Sequence, residues 1–277
     1  MSTYDAGAEG EDELRLPGPL SFSGLVASSW RSYISLFGRL LIVGFVCFAI
    51  ADLIEIAVLS VTPLSREASL FGSLRFLFPL SMYVLLGSFM TALVSVAVAD
   101  GTAGLSVSVG TMWRGVRVVL KEVIASNLLA VVVALSLVVL LAAFPFLFLP
   151  LFFGPPLVVH AVTLERKRLQ EGVPRMRALA RGNWGRTILY LLSVALGARL
   201  LQGAVLDGMW SLTASLVTVV RAIVFVFSRV LIEAATASFV AVVGTFLYFD
   251  LRARLEDYGP EELRAERARA NPDGPPA

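Results

Sequence analysis

Apolar residues run along this chain in long blocks, separated by short segments that hold most of the charge. A membrane span needs about 20 apolar residues, and six blocks meet that length. They run from about Leu40 to Val61, Phe76 to Ala99, Val123 to Ala143, a fourth ending near Leu164, Thr187 to Leu206, and about 230–249. A tight turn near Pro145 and Pro150 joins the third to the fourth. Residues 209–250 are too long for one span, since a continuous helix would cover about 60 Å at 1.5 Å per residue. The pattern divides them into a helix on or beyond the outer surface, about 209–228, and the sixth span, with the division near Ser228-Arg229. The predicted fold is all-α: a polytopic membrane helix bundle of about six spans with interfacial amphipathic helices.

The segments between the blocks carry a second pattern. Residues 172–186 place Met176, Leu179, Ala180 and Trp184 on one helix face, with Arg177 and Arg181 beside it and Pro174 in the first turn. This basic stretch is read as running without a break into the fifth span. Such a helix lies in the headgroup layer, its apolar stripe in the acyl chains and Arg175, Arg177 and Arg181 at lipid phosphates. The plainer reading is a solvated loop whose charges only set topology. Residues 23–39 and 104–122 repeat the theme, so helix-span-span recurs three times as a parallel pseudo-repeat. Residues 1–22 read as a disordered acidic tail and 23–254 as the membrane domain. Residues 255–277 read as a cytoplasmic tail with a short helix opening at Gly259-Pro260-Glu261-Glu262.

Composition agrees with lipid as the main solvent. Hydrophobic residues make up 57%, charged residues 16%, and mean hydropathy is +0.80. Soluble domains carry roughly a quarter charged residues. A net charge of +2 gives no reason to expect nucleic acid. One cysteine, Cys47, excludes an internal disulfide, and one histidine, His160, excludes motifs that need two. The acidic N-terminus has no basic n-region, which argues against a cleaved signal peptide. Lys and Arg concentrate in the segments before the third and fifth spans. The bias places both termini in the cytoplasm of a multi-pass protein of the cell membrane.

Few residues offer chemistry. Asp52 and Glu55 share a helix face in the second half of the first span, where a carboxylate pair suits a proton or cation site. The competing reading puts them at the outer interface, or paired with Arg199, Arg221 or Arg229. Arg229 and Glu233 are four apart and suit a structural pair. Gly154-Pro155-Pro156, one turn before His160, breaks the fourth span, which either exposes carbonyls for binding or is a plain kink. No metal site, cofactor motif or nucleophile-base pair stands out.

Three stretches resemble a known family. They are Leu25-Val26-Ala27-Ser28-Ser29-Trp30-Arg31-Ser32-Tyr33 with Phe37-Gly38-Arg39, Leu164-Glu165 before the basic helix, and Leu247-Tyr248-Phe249-Asp250-Leu251-Arg252-Ala253-Arg254. Together they resemble the membrane-domain family named after glycerophosphoryl diester phosphodiesterase. The resemblance implies a polytopic protein of about six spans. It does not imply a hydrolase, because the phosphodiesterase domain and its paired histidines are missing. The expected function is a non-catalytic integral membrane protein, an envelope scaffold or a partner of other membrane proteins, with bilayer lipid and anionic headgroups as contacts. The alternative is a small transporter or ion pathway using Asp52 and Glu55. A lipid-modifying enzyme comes third, without a catalytic constellation.

Overall fold

The computed structural model describes residues 20–61, 70–140 and 157–270. The acidic tail, the loop holding Arg66, the turn near Pro145 and Pro150, the Gly154-Pro155-Pro156 break and the last seven residues lie outside the described residues. Every described element is a helix. They are α1 (Phe22–Val61), α2 (Leu70–Thr102), α3 (Val109–Val118), α4 (Leu120–Leu140), α5 (157–164), α6 (Leu169–Ala180), α7 (Trp184–Leu212), α8 (Thr218–Glu256) and α9 (Pro260–Ala270). Four segments are long and apolar enough to cross a membrane: Phe22–Val58, Val84–Thr102, Trp184–Leu212 and Thr218–Glu256.

Helix α8 is the centre of the bundle and packs against α1, α2, α6 and α7. From Ala241 to Phe249 it is enclosed and, apart from Thr245, apolar on all sides. Phe246, Leu247, Tyr248 and Leu251 are all sealed from solvent. Small residues let its neighbours come close. A Cβ on Gly44 of α1 would fall 3.0 Å from the Cβ of Ala234, and one on Gly244 would fall 2.9 Å from Nε2 of His160. The short helices α3 and α6 are two-faced, but the stripe of α6 expected in the acyl chains is buried in protein, because α6 folds back onto α5 and α8. Met112 and Val116 of α3, and Met176, Leu179 and Ala180 of α6, point into the core. A Ser108–Thr111 capping box starts α3. Helix α9 begins at Pro260 with Glu261 and Glu262 in its first turn and ends with Arg267 and Arg269 in its last, matching its dipole.

Three boundaries differ from the sequence reading. The first amphipathic helix and the first span are one continuous helix of 40 residues. The basic stretch does not run unbroken into its span. Helix α6 stops at Ala180, Gly182 adopts φ +82°, and Trp184 opens α7 instead of sharing the Met176–Leu179 stripe. Finally, no division occurs at Ser228-Arg229, and no separate surface helix covers 209–228. The chain turns earlier, between Leu212 and Thr218, where the Thr213 hydroxyl donates to the Met209 carbonyl at 2.7 Å. Arg229 stays inside α8 because carboxylates on two helices meet its charge.

Both ends of the described chain lie at one end of the bundle, called proximal below. The Leu20 amide donates to Asp250 at 2.7 Å, and Arg166 donates to the Ala270 carbonyl at 2.6 Å. Trp184 opens α7 at this end, while Trp30 lies within α1 against Phe239 and Trp113 within α3 against Phe89. The fourth, Trp210, lies at the far end of α7, about 39 Å from Trp184 at 1.5 Å per residue. That separation matches a bilayer measured across its headgroups, about 40–45 Å, the depth at which tryptophan concentrates.

Candidate functional site

The acidic pair of α1 is held by one arginine. Arg229 Nη2 lies 3.3 Å from Asp52 and 2.9 Å from Glu55, and its Nε lies 3.3 Å from Glu233 one helical turn along α8. Helix α7 joins the group through Gln202, whose amide donates to Glu233 at 3.1 Å and accepts from Arg199 at 3.0 Å. Asp52 and Glu233 are buried, whereas the Arg229 side chain keeps 29% of its surface. Exposed apolar residues stand beside this cluster at Leu53 and Ile56 on α1 and continue distally past it at Val205 and Leu212 on α7 and at Ile223 and Phe227 on α8. The cluster therefore lies within the apolar belt and not at its edge. A carboxylate there needs a partner, and the sequence-based alternative of pairing with Arg229 is the arrangement found. Among the described residues, no three metal-ligating side chains are placed to hold an ion.

His160 sits elsewhere. Its Nδ1 is 2.7 Å from the Ser95 hydroxyl, and the Thr245 hydroxyl lies 3.4 Å from the same oxygen. Helices α2, α5 and α8 thus meet on one buried polar point. All three side chains are fully enclosed, and the Gly244 backbone closes off Nε2. A serine beside a histidine resembles a nucleophile and its base, yet general-base chemistry needs a substrate within hydrogen-bond reach. Here protein atoms occupy that space. The contact ties three helices together.

The same three segments carry an acid towards the proximal end of the bundle. Asp100, Glu165 and Asp250 each follow the polar core residue by five positions, about 7.5 Å at helical rise. Each meets a different cation. Arg267 of α9 reaches Asp100 at 2.6 Å, Arg175 of α6 reaches Glu165 at 2.9 Å, and Arg254 reaches Asp250 at 3.0 Å. Asp250 also lies 3.5 Å from Arg186 of α7. Arg252 extends the layer, approaching Glu266 at 2.9 Å, Glu256 at 3.2 Å and Glu165 at 3.7 Å. Its guanidinium also stacks 3.6 Å from the Tyr258 ring centre. Tyr248 donates to Glu165, and Arg175 bridges to Glu256.

Titration of the groups outside the spans follows from these contacts. Hydrogen bonding to Glu256 holds the Arg175 guanidinium above its ordinary range, against the opposing effect of burial. Burial, reinforced by hydrogen bonding to Glu266, raises the Tyr258 phenol. Burial also pushes the Glu266 carboxyl up, but hydrogen bonds from Arg252 and Tyr258 outweigh it and leave the group below the usual carboxylate value. A shallow cavity of about 470 Å³ between α8 and α9 is lined by these same side chains, including Arg252, Tyr258 and Glu266.

The residues expected at lipid headgroups separate into two sets. Arg177 and Arg181 are exposed on α6 and its C-cap. Arg175 is committed to Glu165 and Glu256, and Trp184 is half-buried at the start of α7. Ser95, Gln202, Glu165, Glu256 and Glu266 were not foreseen as members of polar sites. The signal for Glu165 is an acid directly after an apolar run, as at Asp100 and Asp250, and that for Gln202 is an amide within an apolar run.

Comparison with family models, with curated proteins and with solved structures finds no match for this chain.

Proposed function

We propose that this chain is a non-catalytic, six-span protein of the cell membrane, with both termini cytoplasmic, that acts as a scaffold or assembly partner for other membrane proteins. The six spans are the four already described, together with α4 and the segment that α5 completes. The family resemblance at Leu25–Tyr33, Leu164-Glu165 and Leu247–Arg254 belongs to the same proposal, as does headgroup contact by Arg177 and Arg181. The observation that carries the reading is the commitment of the candidate chemistry to holding helices together. Arg229 ties Asp52 and Glu55 to α8, and His160 is enclosed against Ser95.

A second reading rests on one observation. Three carboxylates share the Arg229 guanidinium inside the apolar belt, more acid than a structural pair needs. A small transporter would use that excess to carry protons or cations. Proton and sodium flux into proteoliposomes holding the full chain separates the two. The scaffold reading expects flux equal to that of empty vesicles, unchanged by Asp52→Asn with Glu55→Gln. Flux that the double substitution abolishes would make this a transporter.

A further inference from the structure

We infer that α3 recognises anionic phospholipid: its outer face lies in the headgroup layer, where Arg114, Arg117 and Lys121 bind lipid phosphates. This goes beyond the contact proposed for Arg177 and Arg181, and it rests on the reading of α4 as a span. The short helices α3, α6 and α9 present different faces to the outside. Helix α9 exposes Glu261, Glu262, Arg264 and Arg269 and no large apolar side chain, the surface of a helix in water. Helix α6 exposes Gln170, Glu171 and Arg177, again without a large apolar side chain, so it offers headgroups charge alone. Helix α3 exposes Arg114 and Arg117 together with Val109, Trp113 and Val118, the last with 64% of its surface free. Its core contacts are already supplied by Met112 and Val116, so this is a second apolar surface. Cations beside exposed tryptophan and valine mark a helix lying in an interface.

The neighbours of α3 fix its depth. A Cβ on Gly115 would come within 2.8 Å of Val96, and the Trp113 ring centre is 6.2 Å from that of Phe89. Val96 and Phe89 both belong to the part of α2 that is long and apolar enough to cross a membrane. Helix α3 therefore lies against a span and not beyond its end. Helix α4 begins one residue after the Val119 cap, and its exposed ridge of Ile124, Leu128 and Val132 starts three residues past Lys121. Three residues rise about 4.5 Å along a helix. The cations thus stand at the rim of a lipid-facing surface, where phosphates lie.

The protein supplies these cations with no counter-charge. No Asp or Glu occurs from Gly101 to Lys121. The acids on either side are engaged: Asp100 holds Arg267 at 2.6 Å, and Glu122 accepts from the Leu169 amide at 2.8 Å. Among the described residues no acid lies within ion-pair reach of Arg114, Arg117 or Lys121. Arg175, Arg252, Arg254 and Arg267 of the proximal network each have one. At this depth the available anion is a phospholipid phosphate, and a negatively charged lipid answers more of the charge than a zwitterionic one. An acidic protein would meet the arginines but leave Trp113 and Val118 without a partner.

The test uses the full chain in phosphatidylcholine vesicles, with Trp113 kept as its only tryptophan by Trp30→Phe, Trp184→Phe and Trp210→Phe. Phosphatidylglycerol or phosphatidylcholine carrying a nitroxide on the acyl chain near the headgroup is then titrated in as quencher. Half-maximal quenching should need about a tenfold smaller mole fraction of the phosphatidylglycerol, since each basic residue at such a surface contributes about fivefold. Arg114→Gln with Arg117→Gln and Lys121→Gln should bring the two lipids to parity while both still quench. Because Trp30 packs on Phe239, the series is repeated with every tryptophan in place and a fluorophore on Val118→Cys in a Cys47→Ala background. The same preference is expected there. Equal quenching by the two lipids leaves α4 as a span but overturns the recognition of anionic lipid. Quenching by neither puts α3 in water and overturns both the inference and the span assigned to α4. A preference that survives the triple substitution belongs to other cations and also overturns the inference.

Discussion

The two polar layers of this bundle are built from the same side chains under opposite rules. At the proximal end, Asp100, Glu165, Asp250, Glu256 and Glu266 face Arg175, Arg186, Arg252, Arg254, Arg267 and Lys167. Six cations meet five acids there, and Glu165, Asp250, Glu256, Arg175 and Arg252 each have two or more partners. In the apolar belt, Asp52, Glu55 and Glu233 gather on Arg229. Redundancy is cheap beside water, where an arginine left over is simply hydrated. Each added ion within lipid carries its own desolvation cost, so the cluster is kept small. The comparison predicts that equal substitutions will have unequal consequences in the two layers.

Arg229→Gln should have the largest effect. It takes away the guanidinium shared by three carboxylates at a depth where breaking a buried pair costs several kcal/mol. Partial exposure of Arg229 argues for the lower part of that range, about 3 kcal/mol. Unfolding in a detergent-denaturant titration should show the loss. Adding Asp52→Asn, Glu55→Gln and Glu233→Gln should restore most of it, because all three carboxylates that shared the guanidinium are then neutral. A midpoint equal to the parent protein's would mean the cluster is already hydrated and the contrast between layers is false.

Arg252→Gln should do less, although Arg252 is the more buried of the two. Glu165 keeps Arg175 and Lys167, and Glu256 keeps Arg175. Only Glu266 loses its two-pronged contact, and Tyr258 its stacked cation. The loss of charged hydrogen bonds of this kind is about 2 kcal/mol. It should be confined to α9, seen as faster tryptic cleavage at Arg264 and Arg267 with the bundle's own unfolding little changed. If Arg252→Gln proves as damaging as Arg229→Gln, the proximal network is not redundant.

What the sequence made legible follows the range of the interaction. The Arg229–Glu233 contact lies within one helix turn, and the spacing of four announced it. Periodicity grouped Met176, Leu179 and Ala180 on one face but assigned that face to lipid, whereas it packs on protein; dipole logic placed the charges of α9. Partners far apart in the chain were not legible. Arg175 meets Glu256 across 81 positions, and its basic surroundings pointed to lipid instead. The hairpin between α7 and α8 was misplaced because residues 209–228 are apolar on both sides of the true turn. Hydropathy measures how long an apolar run is, and it gives no break point inside one. The break follows Thr213, the C-cap of α7, and its kind of hydroxyl bond, made there to Met209, recurs at Thr91, Ser95 and Thr245 inside unbroken helices, so it is no cue to a turn.

The smallest effect expected is one of pH, and it also separates the layers. Glu266 titrates below the usual carboxylate value in the folded protein because Arg252 and Tyr258 hydrogen-bond its ionised form. Its contribution is therefore complete above the unfolded value of about 4.3. It is lost as pH falls through the lower folded value. Tyr258 has the opposite sign: burial favours its neutral form, so its contribution holds below about 10 and fades as pH rises past that point. Docking of α9 on α8 should thus persist across neutral pH and weaken at both extremes. Hydrogen exchange of the α9 amides, followed against pH, should show protection falling on the acid side before the amides of α8 change. Glu256 and Asp100 titrate at the same surface, so Glu266→Gln is the control that isolates this group. It should flatten the acid limb in part and leave the alkaline limb in place. An acid limb that Glu266→Gln does not alter would assign α9's acid sensitivity to Arg267–Asp100 and leave Glu266 without the role given to it here.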